Sequence, residues 1–158
     1  MKLRIEIADD LAENEIVIRC REIDDEIQRL QRVISETASD RQQMLFYQEE
    51  KECYLSLQKI LFFETSGNTL EAHTAEDVFN VKYRLYELER MLPSYFMRVS
   101  KSTILNVREV YSITKSLTAS SLVEFQGTHK KVYVSRNYYK ALKTMLDHVM
   151  CRSYLHES

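Results

Sequence analysis

Between Phe96 and Asn106 the chain reads Phe-Met-Arg-Val-Ser-Lys-Ser-Thr-Ile-Leu-Asn, and no other stretch restricts the possible folds as much. Its first half alternates. In an extended chain Phe96, Arg98, Ser100 and Ser102 fall on one side, and Met97, Val99, Lys101 and Thr103 on the other. Thr103-Ile104-Leu105 then returns the chain to a core, with Asn106 as a turn residue. Arg98, Ser100, Lys101 and Ser102 supply cationic and hydroxyl donors within five positions, and no carboxylate stands among them. Apolar at both ends, such a segment suits an anionic partner held on a rigid scaffold. The same pattern also serves an ordinary half-buried strand with one soluble face.

The distribution of charge favours the first reading. From Phe96 to Lys143 nine Lys or Arg stand against two acids, Glu109 and Glu124. From Met1 to Glu50 seven basic residues stand against thirteen acidic ones, so the formal total of −2 conceals a dipolar chain. A basic region joined to an acidic one is the footprint of a nucleic-acid binder whose other part has a different task.

Several classes are disfavoured at once. At 158 residues, 44% hydrophobic and 29% charged, the chain is globular, large enough for one good-sized domain or a smaller one with an appendage. No apolar run approaches a membrane span, and Met1–Asp10 alternates charge with apolar residues, unlike a signal peptide. Cys20, Cys53 and Cys151 are far apart and odd in number, and His73, His129, His148 and His156 complete no ligand spacing. Reduced thiols in a cytoplasm are expected, with no metal and no cofactor. With two Gly and one Pro there is neither a flexible linker nor a glycine-rich phosphate loop. An enzyme is not expected: Glu87 and Glu89 point to different helix faces, no histidine has an evident partner, and Gly-x-Ser-x-Gly is absent.

Taken in order, Lys2–Ile7 and Glu15–Cys20 read as strands around a turn at Asp9-Asp10, and Ile23–Ser35 as a helix with Ile23, Ile27, Leu30, Val33 and Ile34 on one face. This ββα piece is too small for a core of its own and should pack on its neighbour or on a second copy. Strands follow at Gln43–Gln48, Glu52–Leu57, Lys59–Glu64, Thr69–Thr74 and Asp77–Lys82, with Ser66-Gly67-Asn68 the strongest hairpin turn. Leu85, Leu88, Met91 and Leu92 mark a short helix stopped before Pro93. Val107–Thr114, Leu122–Gln126 and Lys131–Ser135 are further strands, and Asn137–Val149 a closing helix. Arg136 therefore sits at a strand-to-helix corner, where its guanidinium can offer two donors to guanine O6 and N7.

Four motifs now stand in order: Phe62-Phe63-Glu64, Leu85-Tyr86-Glu87-Leu88-Glu89-Arg90-Met91-Leu92, Arg98–Asn106 and Val134-Ser135-Arg136. Together they resemble a LytTR-type DNA-binding domain over roughly Gln48 to Leu146. The resemblance implies a mostly β domain whose loops enter successive major grooves, in bacterial transcription regulators. It carries the family's C-terminal base-reading arginine onto Arg136 and its central base contact onto Lys101. The third contact falls in the loop after Phe63-Glu64, with Asn68 as candidate. Members with Asn at the central position can read adenine; Lys101 instead favours guanine acceptors or phosphate. Many relatives also have His where this chain has Ser100. Arg98, Ser100, Ser102, Lys130, Lys131, Ser135 and Asn137 are read as phosphate contacts, fixing register without reading sequence. Asp9-Asp10 superficially resembles the acidic pair of the phosphoacceptor domain that precedes many members. Fewer than fifty residues cannot supply such a domain, so a solvated turn is expected.

The expected protein is α+β: a small ββα element (1–41) for dimer or partner contacts, a β-rich antiparallel-sheet LytTR-like domain with short helices (42–150), and a tail (151–158). It should bind double-stranded DNA sequence-specifically as a cytoplasmic homodimer on promoter repeats, with no small-molecule substrate. By analogy within the family, a membrane protein is a possible regulatory partner. The alternative is a protein-interaction module that keeps the scaffold without binding DNA.

Overall fold

The computed structural model describes residues 1–12, 14–38 and 43–156. By contact density the chain divides into two compact units, Met1–Ala38 and Ser39–Ser158.

In the first unit one helix forms, α1 (Asp25–Ala38). Asp24 starts it: the carboxylate oxygen Oδ1 accepts from Ile27 N at 2.9 Å, a side-chain N-cap. The two strands expected at Lys2–Ile7 and Glu15–Cys20 do not form; both segments are without regular structure. Leu3, Ile5 and Ile7 are 92%, 82% and 94% exposed, so the alternation supplies an apolar face with no sheet edge to bury it. The expected ββα element is thus a helix preceded by irregular chain. The loop foreseen at Glu36–Arg41 begins later, since α1 runs to Ala38, and 39–42 lie outside the described residues.

The second unit is built on antiparallel strands: β1 (Gln43–Gln48), β2 (Lys51–Ser56), β3 (Phe62–Ser66), β4 (Thr69–His73), β5 (Val78–Val81), β6 (Phe96–Arg98) and β7 (Thr103–Asn106). These make one seven-stranded sheet in the order β2-β1-β5-β4-β3-β7-β6. The strands β8 (Val110–Thr114), β9 (Ser121–Phe125) and β10 (Lys131–Val134) make a second sheet of three, with β9 in the middle. Helix α2 (Leu85–Met91) lies between β5 and β6, and α3 (Arg136–His156) closes the unit, longer than the expected Asn137–Val149.

Alternation along the strands sends residues to two cores, one on each face of the large sheet. Phe46, Phe63, Ala72, Phe79 and Ile104 pack with Leu85 and Leu88 of α2. On the opposite face Phe62 and Leu105 pack with Val123, Phe125, Val132 and Val134 of the small sheet and Leu142 of α3. The adjacent residues Phe62 and Phe63 thus serve different cores, as a period of two requires. The Phe62 and Phe125 rings stack with centroids 5.4 Å apart, which joins the two sheets.

Phe96–Asn106 is a hairpin, not one extended strand. Phe96, Met97 and Arg98 of β6 pair with Asn106, Leu105 and Ile104 of β7, and Val99–Ser102 form the loop between them. Asn106 ends β7 as a buried anchor: its Nδ2 donates to Ile60 O at 3.0 Å, and its Oδ1 accepts from Arg108 N at 3.0 Å. That second bond caps a one-turn 3-10 helix, Val107–Glu109, in keeping with the expected turn.

Candidate nucleic-acid interface

Three loops meet at one rim of the second unit. The first is the tip of the β3–β4 hairpin, where Ser66 faces Thr69 across a two-residue turn. Gly67 has φ +60° and Asn68 does not share a positive φ, the pattern of a type II′ turn with glycine in its first central position. The second loop is Val99–Ser102. The third is the corner where β10 passes into α3, Ser135-Arg136. Two backbone hydrogen bonds tie them together: Thr65 N donates to Ser102 O at 2.9 Å, and Ser135 N donates to Val99 O at 2.9 Å. These bonds bring the tips bearing Asn68, Lys101 and Arg136 to one side of the domain, and all three residues are exposed.

The rim is suited to anions. Arg136 opens α3, whose first turn contains no acid, so the partial positive charge of the helix N-terminus is not offset locally. Asn137 is exposed beside it, and Ser135 is half-buried immediately before it. In the central loop the Ser100 hydroxyl accepts from Ser102 N at 3.2 Å and lies 3.3 Å from the Ser102 hydroxyl. This pairing keeps both hydroxyls at the loop surface.

Other residues read as phosphate contacts lie elsewhere. Lys130 precedes β10 and Arg136 follows it, so roughly 20 Å of mostly extended chain separates them. Lys130 Nζ donates to Asp77 O at 2.8 Å, and burial lowers its pKa. Lys131 is 3.7 Å from Glu124. Both lie at the opposite end of the small sheet from the rim. Arg98 lies beneath the central loop with its guanidinium turned onto protein oxygens.

The structure adds residues that the sequence did not single out. A groove of about 800 Å³ runs beside the β3–β4 tip, and Lys82 and Arg84 line it together with Asn68, Glu49, Glu50 and Glu52. Lys82 Nζ stands 4.0 Å from the centre of the Tyr47 ring, a cation–π contact between two residues that line the groove. The signal available in the sequence was Lys82-Tyr83-Arg84, two cations around an aromatic residue just before α2.

Behind the rim the sheet carries a titratable cluster. Glu64 and Glu71 are direct cross-strand partners, and burial together with Glu71's charge raises the Glu64 pKa. His73 stacks on Phe62 with centroids 4.3 Å apart, and burial, then the charge of Lys130, lowers its pKa against the opposing pull of Glu71. Glu71 Oε2 approaches His73 Nε2 to 3.4 Å without hydrogen-bond alignment. No group of three or more His, Cys, Asp or Glu among the described residues is placed to hold a metal ion. No helix among them is long and apolar enough to cross a membrane.

The LytTr DNA-binding domain matches residues 50–147, which contain all three rim loops. The chain belongs to the LytTr DNA-binding domain family. Its second unit has that fold: a LytTr DNA-binding domain from Bacillus cereus superposes with a TM-score of 0.60 at 22% identity, covering 66% of this chain and 95% of that one. Among similar sequences, an uncharacterized HTH-type transcriptional regulator of Staphylococcus aureus strain NCTC 8325 is 28% identical over 147 residues, 92% of this chain and 98% of the relative. Counterparts from strains COL and N315 match equally. An alignment that long takes in much of the first unit as well. Among the described elements no two helices follow one another directly.

Proposed function

We propose that this chain is a transcription regulator that reads double-stranded DNA with the three-loop rim of its LytTr domain. The observation that supports this reading is the pair of backbone bonds, Thr65 N to Ser102 O and Ser135 N to Val99 O, that join the loops bearing Asn68, Lys101 and Arg136. Arg136 offers a bidentate donor pair to guanine O6 and N7, Lys101 donates to guanine acceptors or phosphate, and Asn68 reads adenine N6 and N7. Tips on separate loops, carried by the two packed sheets, reach successive major grooves of the duplex. Ser100, Ser102, Ser135 and Asn137 contact phosphates around them, and Lys82 and Arg84 continue the cationic surface past Asn68. Lys130 and Lys131 contribute to the long-range field from the far end of the small sheet.

One such domain reads few base pairs, so two protomers act on spaced repeats, with residues 1–41 supplying dimer or partner contacts. The setting is the bacterial cytoplasm, and by family analogy a membrane protein supplies the regulatory input. The reading concerns binding and not catalysis.

Selection of bound duplexes from a random pool at two salt concentrations tests this reading. Recovery of one repeated motif, with affinity falling linearly on a log–log salt plot, is the expected outcome. A pool that stays random after repeated rounds would rule out sequence reading.

A further inference from the structure

The central loop presents four successive carbonyl oxygens, and each has a protein donor. Val99 O accepts from Ser135 N and Ser102 O from Thr65 N, both at 2.9 Å. One side chain serves the two between them: Arg98 Nε donates to Ser100 O at 2.8 Å, and Nη2 donates to Lys101 O at 2.6 Å. The third guanidinium nitrogen, Nη1, donates to Glu89 Oε2 of α2 at 2.9 Å. The Arg98 side chain is 21% exposed, and Glu89 partly offsets its charge.

We propose that Arg98 is a positioning residue: it holds the Ser100 and Lys101 carbonyls inward and so holds Lys101 outward, towards the duplex. The inference rests on the DNA-binding reading and gives Arg98 a role other than the phosphate contact its charge suggests. Carbonyl oxygens carry partial negative charge, and four of them facing a phosphate backbone would repel it. The loop contains no glycine or proline; Ser102 N donating to Ser100 Oγ and Val99 N donating to Thr103 O close it locally, while the donors that turn its carbonyls inward come from Arg98, Thr65 and Ser135. A planar fork can bridge two carbonyls and a carboxylate at once; a lysine ammonium keeps the charge but not the fork.

The test compares the full chain with Arg98→Lys, Arg98→Ala, Glu89→Gln and Lys101→Ala on a duplex recovered from the random pool. Arg98→Lys is expected to bind about tenfold more weakly, the order expected for losing charge-assisted hydrogen bonds. Its salt slope should be unchanged. Its base preference should relax where Lys101→Ala relaxes it and persist where Arg136 reads. Glu89→Gln should give a smaller loss of the same kind. In the free protein the Thr65 and Ser135 amides, bonded to the loop's outer carbonyls, should exchange faster in Arg98→Lys.

Full affinity in Arg98→Lys would overturn the proposal. So would an Arg98→Ala slope shallower by about 0.9 with base preference kept, the mark of a lost phosphate contact. If the wild type prefers no sequence, the DNA-binding reading fails, and amide exchange then decides the loop alone. Unchanged Thr65 and Ser135 exchange overturns the role of Arg98; faster exchange retains it as loop ordering. Should Arg98→Ala not fold, Arg98→Lys and Glu89→Gln carry the test.

Discussion

His73 shows how a single side chain ties the stability of this domain to pH. It is stacked on Phe62, faces Lys130 and Glu71, and has a pKa lowered by burial from its ordinary value of about 6.5. For a base whose folded pKa is depressed, the neutral-state contribution is present above the unfolded pKa and is lost as pH falls through the folded one. Glu64 works in the opposite sense: its raised pKa gives a contribution present below the unfolded value, about 4.3, and lost as pH rises through the folded one. Melting temperature between about pH 7.5 and pH 5.5 should therefore fall more for the wild type than for His73→Phe, which keeps a ring against Phe62. Equal falls in the two proteins would remove His73 from this account.

At the scale of elements, the hairpins carry both the fold and the site. Gly67 sits at φ +60° with open space where a Cβ would project, so backbone strain alone decides the effect of a side chain there. Gly67→Ala should cost about 1–2 kcal/mol in denaturant unfolding, from the left-handed conformation forced on alanine. A loss near zero would mean the turn relaxes freely. This hairpin was legible because Ser66-Gly67-Asn68 is a local signal between two apolar runs. So were α2, stopped before Pro93, and the strand alternation that fills two cores. The β6–β7 hairpin was not legible: Val-Ser-Lys-Ser contains no glycine, proline or asparagine, only the weaker serine turn signal, and Arg98 reaching Glu89 and two loop carbonyls adds to the local bond from Ser102 N to Ser100 Oγ. The strands expected in the first unit failed for a related reason. Alternation at Leu3, Ile5 and Ile7 describes a face that a strand would bury, but says nothing of an edge for it to pair with.

Over the whole molecule, the candidate site joins residues far apart in the chain. Arg136 was legible at its strand-to-helix corner, and Lys101 by its place in a donor-rich segment. Their meeting with Asn68 was not, because it depends on β3 pairing with β7, Glu64 opposite Thr103, across nearly forty residues. Lys130 and Lys131 belonged with Arg136 in a count of charges, yet β10 holds them at its other end. Both apolar cores lie within residues 39–158, so that fragment should fold by itself with a melting temperature close to the full chain's. It should bind one repeat as the full chain does and lose cooperativity on two, if residues 1–41 supply the dimer contact. Undiminished cooperativity would place that contact in the LytTr domain. The most direct test of base reading is the affinity of wild type and Arg136→Ala for the selected duplex and for a scrambled one of equal length. The expected result is a loss of about 1–3 kcal/mol on the selected duplex alone, with unchanged thermal stability. Equal losses on both duplexes, or none on either, would contradict it.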